Sequence, residues 1–385
     1  MPFRLAILVS HPIQYYAPVF KLLAADESLD LKVFYTLGHD NIEDKGFGKN
    51  IIWDVPLLEG YEYEFLENTS SQPGSHHYKG IKNPDIIAKI NAFKPDALLV
   101  YGWSYKSHLK AISYFHGKIP IWFRGDSTLL NNQPAWKKII RRFFLSRIYK
   151  KIDLAFYVGA NNKAYFLAAG LAESQLKHAP HAIDNKRFTE NRNTEALKLR
   201  TELGLSEQDA LVVFAGKLAP VKNPELLLDA FISLNQPNTH LLLVGNGILE
   251  NSLKSKVQKL STNNITFIDF QNQSQMPIIY QACDVFCLPS LNETWGLAVN
   301  EAMAAGKPVL VSDAVGCAVD LVENKINGLI FKSQNLPDLI QSLKSLFHDK
   351  KEIKSMGLAS YHKIQSWSFE EQVLAIKKQI KINAC

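Results

Sequence analysis

Short, continuous apolar runs recur along the chain with helix-length spacers between them. In the first half they occupy residues 5–10, 31–35, 97–101, 119–123 and 154–158; in the second, 211–215, 241–244, 265–268, 285–288, 308–311 and 329–331. Several are unbroken rather than alternating, which predicts strands buried on both faces of parallel sheets. Spacers such as 224–234 repeat apolar residues at the helical period, and this alternation predicts two doubly wound α/β domains. A polar stretch from Thr189 to Glu195 follows the run His181 to Phe188. The expected division is therefore a first domain over 1–184, a second over 185–366, and a terminal helix over 367–385 that Ser368 and Glu371 open as a capping box.

Composition agrees with this division. A chain of 385 residues exceeds one ordinary core, and 46% apolar with 21% charged residues excludes a disordered chain. The four cysteines, Cys283, Cys287, Cys317 and Cys385, lack paired zinc spacing and read as buried free thiols in a reducing compartment. The run 5–9 is too short for a signal peptide, and no stretch approaches the ~20 residues of a membrane span, so a soluble, cytoplasmic chain is expected.

The net charge of +6 belongs to the first half: residues 1–184 hold 22 Lys/Arg against 17 Asp/Glu, and residues 185–385 hold 21 against 20. From Trp136 to Lys151 there are seven Lys/Arg and no acid. Apolar positions 136, 139, 140, 143, 144 and 148 fall on one helical face, expected to pack on the core with the basic remainder in solvent. The basic face also suits an anionic membrane surface or a lipid-diphosphate acceptor.

The most informative segment is the run from Glu293 to Glu301, continuing into Ala-Met-Ala-Ala-Gly306-Lys-Pro308. Residues 284–290 read as a strand ending in a loop, and a helix is expected from near Gly296 to Gly306, with Pro308 preventing continuation. Glu293 then lies before the helix and Glu301 within it, bracketing the amides of Trp295, Gly296 and Leu297 at a helix N-terminus, a natural anion site. Two carboxylates around a set of amide donors suit a molecule with hydroxyls at both ends and phosphate between, as in a nucleotide-sugar. A second loop, Gly216-Lys217-Leu-Ala-Pro-Val-Lys222-Asn223-Pro224, follows a strand with two lysines five apart. These lysines can neutralise a leaving diphosphate, and Asn223 is placed to cap the next helix. Gly245-Asn246-Gly247 permits close backbone approach after the following strand.

Together these motifs resemble glycosyltransferase family four, the large retaining family with the GT-B fold. The resemblance also includes Asp284 to Ser290, Val315-Gly316 with Val322-Glu323, and Asn327-Gly328-Leu-Ile-Phe331, and covers the second domain almost end to end. It implies two Rossmann-like domains facing across a cleft, with the C-terminal helix returning to the first. The implied activity is metal-independent, retaining sugar transfer from a UDP- or GDP-linked donor to a hydroxyl acceptor, with no cofactor and no nucleic acid. Its setting would be bacterial surface polysaccharide or glycolipid assembly, the acceptor a glycan or lipid-linked, with peripheral contact at the inner face of a membrane through the basic helix. Lys217 and Lys222 would hold the diphosphate, Glu293 the sugar hydroxyls and Glu301 the ribose. Gly216, Asn246 and Thr294 to Leu297 would line the donor site, and Phe270 and Gln271 would meet the base through main chain.

The first domain departs from the family pattern. Ser10-His11-Pro-Ile-Gln14-Tyr15-Tyr16 replaces a glycine-rich loop, Arg124-Gly125-Asp126-Ser127 stands where a histidine is common, and His181-Ala182 replaces Asn-Gly. His11, Gln14, Arg124 and Asp126 are the acceptor-side or sugar-side candidates, whereas His108 reads as structural. Two other readings are a GT-B sugar-nucleotide epimerase, which would need no acceptor, and a non-catalytic sugar-nucleotide-binding subunit.

Overall fold

The computed structural model describes residues 1–38, 43–44, 49–50, 52–130, 134–260 and 262–383. The chain divides into two compact units: Met1–Ile42, Val55–His181 and Phe369–Cys385 form one, and Glu43–Asp54 with Ala182–Ser368 form the other. The terminal helix Phe369–Asn383 thus belongs to the first unit. The segment Glu43–Asp54 belongs to the second, an exchange that a boundary at 184/185 does not contain.

Among the described residues fifteen strands run in chain order as β1 (Phe3–Val9), β2 (Leu29–Tyr35), β3 (Glu43–Asp44), β4 (Lys49–Asn50), β5 (Glu62–Phe65), β6 (Ala97–Tyr101), β7 (Ile121–Arg124), β8 (Leu154–Tyr157), β9 (Leu176–His178), β10 (Ala210–Ala215), β11 (Thr239–Val244), β12 (Ile265–Ile268), β13 (Val285–Leu288), β14 (Val309–Ser312) and β15 (Gly328–Phe331). Every apolar run singled out in the sequence falls on one of them. The first unit holds a parallel sheet of order β5-β2-β1-β6-β7-β8-β9. The second holds a parallel sheet of order β12-β11-β10-β13-β14-β15. β3 and β4 pair antiparallel.

The central strands of both sheets are buried on two sides, which is why they are mostly apolar: all six residues of β10, all six of β11 and all five of β6 are buried. Each such Leu or Val contributes about 1.5–3 kcal/mol through burial. The helix Pro224–Leu234 turns Leu227, Leu228 and Phe231 inward. In each sheet the strand order reverses once, between β1 and β6 and between β10 and β13. Loops at the carboxyl ends of such strand pairs are where open α/β sheets bind ligands.

Two local expectations change. Asn223 does not cap its helix by side chain; it sits at φ 53°, in the left-handed region that Asn tolerates better than most residues, and turns the chain from the 3-10 turn Pro220–Lys222 into Pro224. The helix Ala135–Tyr149 buries little of the apolar face expected for it: of that face Ile148 is buried, Trp136, Ile140, Phe143 and Phe144 are exposed, and the Ile139 side chain lies outside the described residues, while Leu145 and Tyr149 are buried instead. Among the described side chains its inward stripe is thus Leu145, Ile148 and Tyr149, on the opposite side of the helix from most of the positions the periodicity selects. Cys283, Cys287 and Cys317 are buried free thiols, as expected, and Cys385 lies outside the described residues.

Candidate active site

The reversal point of the second unit's sheet places the two motif loops side by side. β10 delivers Gly216 and Lys217, then the turn with Lys222; β13 delivers Ser290 and the loop to Glu293. The Leu291 amide donates to the Val221 carbonyl at 2.8 Å, fastening one loop to the other. The Lys222 ammonium forms an ion pair with the Glu293 carboxylate, both side chains less than a quarter exposed. An expected diphosphate contact and an expected sugar contact are therefore direct neighbours.

The glycines here are set by close packing. A Cβ on Gly245 would lie 2.1 Å from the Gly216 carbonyl oxygen, and one on Gly247 would lie 2.4 Å from that of Leu218. The Gly216 amide donates to Val244 O and the Leu218 amide to Asn246 O, so these loops cross at backbone contact. Asn246, 5% exposed, accepts from the Phe270 amide at 2.8 Å and donates to Glu250 and Asp269 at 2.9 and 3.2 Å. Its side chain ties the loop after β11 to the end of β12, and the Phe270 amide, expected at a nucleobase, already has an acceptor. Phe270 and Gln271 are half-buried, and the segment that follows is pinned by residues of the first half of the chain. Asn272 donates to Ile52 O at 2.7 Å, the Ser274 amide donates to the Asp54 carboxylate, and Trp53 meets Phe270 edge-on at 6.1 Å.

The loop carrying Glu293 is held from behind by residues 314–317. Glu293 N donates to Ala314 O, Gly316 N to Glu293 O at 3.0 Å, and Cys317 N to Trp295 O at 2.9 Å. Gly316 admits no side chain, since a Cβ there would lie 1.9 Å from Thr294 O. Trp295 is buried, its ring nitrogen donates to Asn300 at 2.9 Å, and its ring lies 5.0 Å from that of Trp367. Gly296, the expected helix start, is at φ 101° the N-cap of the helix Leu297–Ala304, which begins one residue later, and no side chain caps it. The Val299 amide donates to Gly296 O at 2.8 Å, and the amides ahead of it have no carbonyl one turn back to receive them. Glu301 lies within that helix, 4% exposed, and accepts a hydrogen bond from the hydroxyl of the fully buried Tyr280 at 2.9 Å. One contributor escaped sequence reasoning: Tyr280 stands 21 residues before Glu301 in the helix Met276–Ala282. At the end of β13, Ser290 is fully buried and its hydroxyl oxygen has no hydrogen-bond partner.

In the first unit, the Ser10 hydroxyl and His11 Nδ1 are 2.9 Å apart at the end of β1, and Gln14 is half-buried in the same loop. Arg124 takes a place different from the substrate-facing one expected. It is 2% exposed, and its guanidinium donates to Ala179 O, Pro180 O and Gln372 Oε1 at 2.8, 3.0 and 3.1 Å. It braces the terminal helix to the end of β7, and burial lowers its pKa. Asp126 is half-buried, and its charge helps raise the Tyr16 hydroxyl's pKa, second to burial, with Arg124 opposing. Tyr16 stacks on His181, whose pKa burial and then Arg124 push down to about 3, fixing a neutral imidazole. His108 is buried between Thr36 Oγ1 at 3.0 Å and Gly102 O at 2.8 Å, a structural role. Among the described residues, no group of three His, Cys, Asp or Glu is placed to hold a metal ion.

Residues 196–363, most of the second unit, match the family model described as Glycosyl transferases group 1. The sulfoquinovosyl transferase of Arabidopsis thaliana is 25% identical over 311 residues, 77% of this chain and 58% of that protein. The UDP-Gal:alpha-D-GlcNAc-diphosphoundecaprenol alpha-1,3-galactosyltransferase of Escherichia coli is 31% identical over 175 residues, 44% of this chain and 45% of that one. The chain thus spans about half the length of these curated relatives. Among solved structures, Anabaena HepE in complex with UDP aligns with a TM-score of 0.75 at 18% identity, over 99% of this chain and all of that one. Sucrose-phosphate synthase from Thermosynechococcus elongatus aligns at 0.74 and 18%, over 98% of each. The fold is GT-B, two parallel-sheet α/β units.

Proposed function

We propose that the protein is a retaining glycosyltransferase that moves a sugar from a UDP- or GDP-linked donor to a hydroxyl acceptor. The Lys222–Glu293 pair carries this reading: it joins the loops after β10 and β13 at the sheet's reversal point, directly before the helix start at Gly296. Lys217, Lys222 and the first-turn amides gather positive charge where a diphosphate would sit. Glu293 lies against it, placed for hydroxyls of the attached sugar. In this reading Glu301, which accepts a hydrogen bond from the Tyr280 hydroxyl, meets the ribose. In the step itself, the acceptor oxygen bonds to the anomeric carbon on the face from which the diphosphate oxygen departs. The acceptor's proton passes to that departing diphosphate, and the lysines stabilise the charge that develops there. No metal is required in this scheme, because the protein's own cations meet the diphosphate.

The match to Glycosyl transferases group 1 supports the reaction class, and the UDP in the HepE structure supports a nucleotide-linked donor. The proposed acceptor is a glycan or lipid-linked sugar in bacterial surface polysaccharide or glycolipid assembly, with the basic helix toward the cytoplasmic face of the membrane. The test is nucleoside-diphosphate release from a donor panel with and without candidate acceptors, with product anomers read by NMR and a chelator arm. Acceptor-dependent release with retained configuration, unchanged by chelator, is expected. Donor conversion without an acceptor would make the protein an epimerase instead.

A further inference from the structure

The helix Ala135–Tyr149 is apolar on two opposite sides. Leu145, Ile148 and Tyr149 face the core, where the Tyr149 ring lies 5.5 Å from those of Phe123 and Phe166. On the other side Trp136, Ile140, Phe143 and Phe144 are 60, 62, 59 and 49% exposed. At about 100° per residue these four span an arc of roughly 100°. Arg147 sits within that arc, its guanidinium 3.8 Å from the centre of the Phe143 ring. A contiguous exposed patch of this kind marks an interaction surface.

Beside the patch lies a cavity of about 530 Å³, in the size range of ligand sites. Leu109, Ile112 and Ile148 supply apolar lining, and Phe144 belongs both to the cavity and to the exposed arc. Arg147, Lys150 and Lys151 also line it, and Lys151 is steadied by the Ser113 hydroxyl at 2.8 Å. The wall thus pairs an apolar surface with cations, and no acidic residue occurs between Trp136 and Lys151.

We propose that this face is an anionic-phospholipid site. The helix lies in the headgroup layer with Trp136, Ile140, Phe143 and Phe144 at the acyl boundary. One acyl chain enters the cavity over Leu109 and Ile112, and the lipid phosphate meets Arg147 and Lys150. Charge complementarity selects the occupant: aromatic and aliphatic side chains interleaved with Lys and Arg suit an anionic interface, whereas an apolar partner surface gains nothing from the cations. The site extends the proposed membrane contact to a specific lipid and stands apart from sugar transfer, since none of its residues belongs to the donor site.

The test is flotation with vesicles of phosphatidylcholine alone or rich in phosphatidylglycerol, alongside thermal shift with short-chain phosphatidylglycerol and with glycerol phosphate. Tighter binding to phosphatidylglycerol vesicles, by about tenfold or more, is expected, as is a shift with the short-chain lipid but not with glycerol phosphate. Ile140→Ser with Phe143→Ser should abolish flotation, and Arg147→Gln with Lys150→Gln should remove only the preference for phosphatidylglycerol. Leu109→Trp should fill the cavity and cancel the short-chain shift. Nucleoside-diphosphate binding should persist in all three variants, showing that they fold and separating this proposal from the transferase reading. Equal binding to both vesicles, a shift with glycerol phosphate alone, or a soluble dimer abolished by Ile140→Ser with Phe143→Ser would overturn it.

Discussion

The Lys222 ammonium pairs with the Glu293 carboxylate across 71 residues of chain, joining the loops that follow β10 and β13. In the proposed reaction the same two groups act on opposite sides of the bond that breaks, and a bound diphosphate competes with Glu293 for the lysine. Glu293→Gln should therefore lower kcat by about 10²-fold, the scale of one lost preorganised contact, while preserving affinity for the nucleoside diphosphate without sugar. Steady-state rates and calorimetry with the diphosphate check both halves; weakened diphosphate binding would contradict the division of labour.

Tyr280→Phe removes the hydroxyl that holds Glu301 and changes little else in a side chain packed against Phe188 and Phe286. A lost hydrogen bond to a charged group is worth about 1.5–3 kcal/mol. Nucleoside-diphosphate affinity should fall by about tenfold or more, appearing as a raised donor KM with kcat largely kept. An unchanged KM with reduced kcat would remove Tyr280 from the donor side.

Gly316→Ala would bring a methyl group to 1.9 Å from Thr294 O and 3.1 Å from Glu293 O, both backbone atoms that cannot swing aside. The 293–295 loop must move, at a cost of about 1–3 kcal/mol. A melting temperature lower by several degrees and weaker donor binding are expected together; a neutral substitution would show that this loop is not rigid.

Burial pushes the His108 pKa down to about 4, against about 6.5 when unfolded. Gly102 O can only accept, so Nδ1 carries the proton of a neutral ring. Above pH 6.5 neither state binds the extra proton. Below it the unfolded chain takes one up and the folded chain does not, so stability falls as pH drops from 6.5 toward 4, by roughly 2 kcal/mol at pH 5. His181 acts in the same direction. The difference in melting temperature between pH 7 and pH 5 should shrink in His108→Gln; an unchanged difference would show that His108 does not carry the dependence.

Strands buried on both faces were legible because an unbroken apolar run leaves few other structures open to it; β1, β6, β10 and β11 are of this kind. The edge strands β5 and β9 were not, since Glu62–Phe65 and Leu176–His178 have too few apolar residues to form a run. Lys222 and Glu293 were each legible as lying in a loop after a strand, but only the sheet order, with β10 beside β13, brings the two together. Arg124 was misplaced because a charged residue at a strand end reads as facing a ligand, and nothing local shows that two carbonyls and Gln372, 248 residues away, surround it. The exposed arc of Ala135–Tyr149 was misassigned for a related reason: periodicity finds an apolar face without saying what covers it. Tyr280 carries no local signal, as its bond to Glu301 comes from two helices meeting.

The central claim is that the loops bearing Lys217, Lys222 and Glu293 hold a nucleoside-diphosphate sugar. Calorimetric titration of wild type and Lys222→Ala with UDP- and GDP-sugars, on protein whose melting curve shows it folded, tests it most directly. The account predicts saturable binding of at least one donor by wild type and its loss in Lys222→Ala. Equal affinity in the two proteins, or no binding of any donor by wild type, would contradict it.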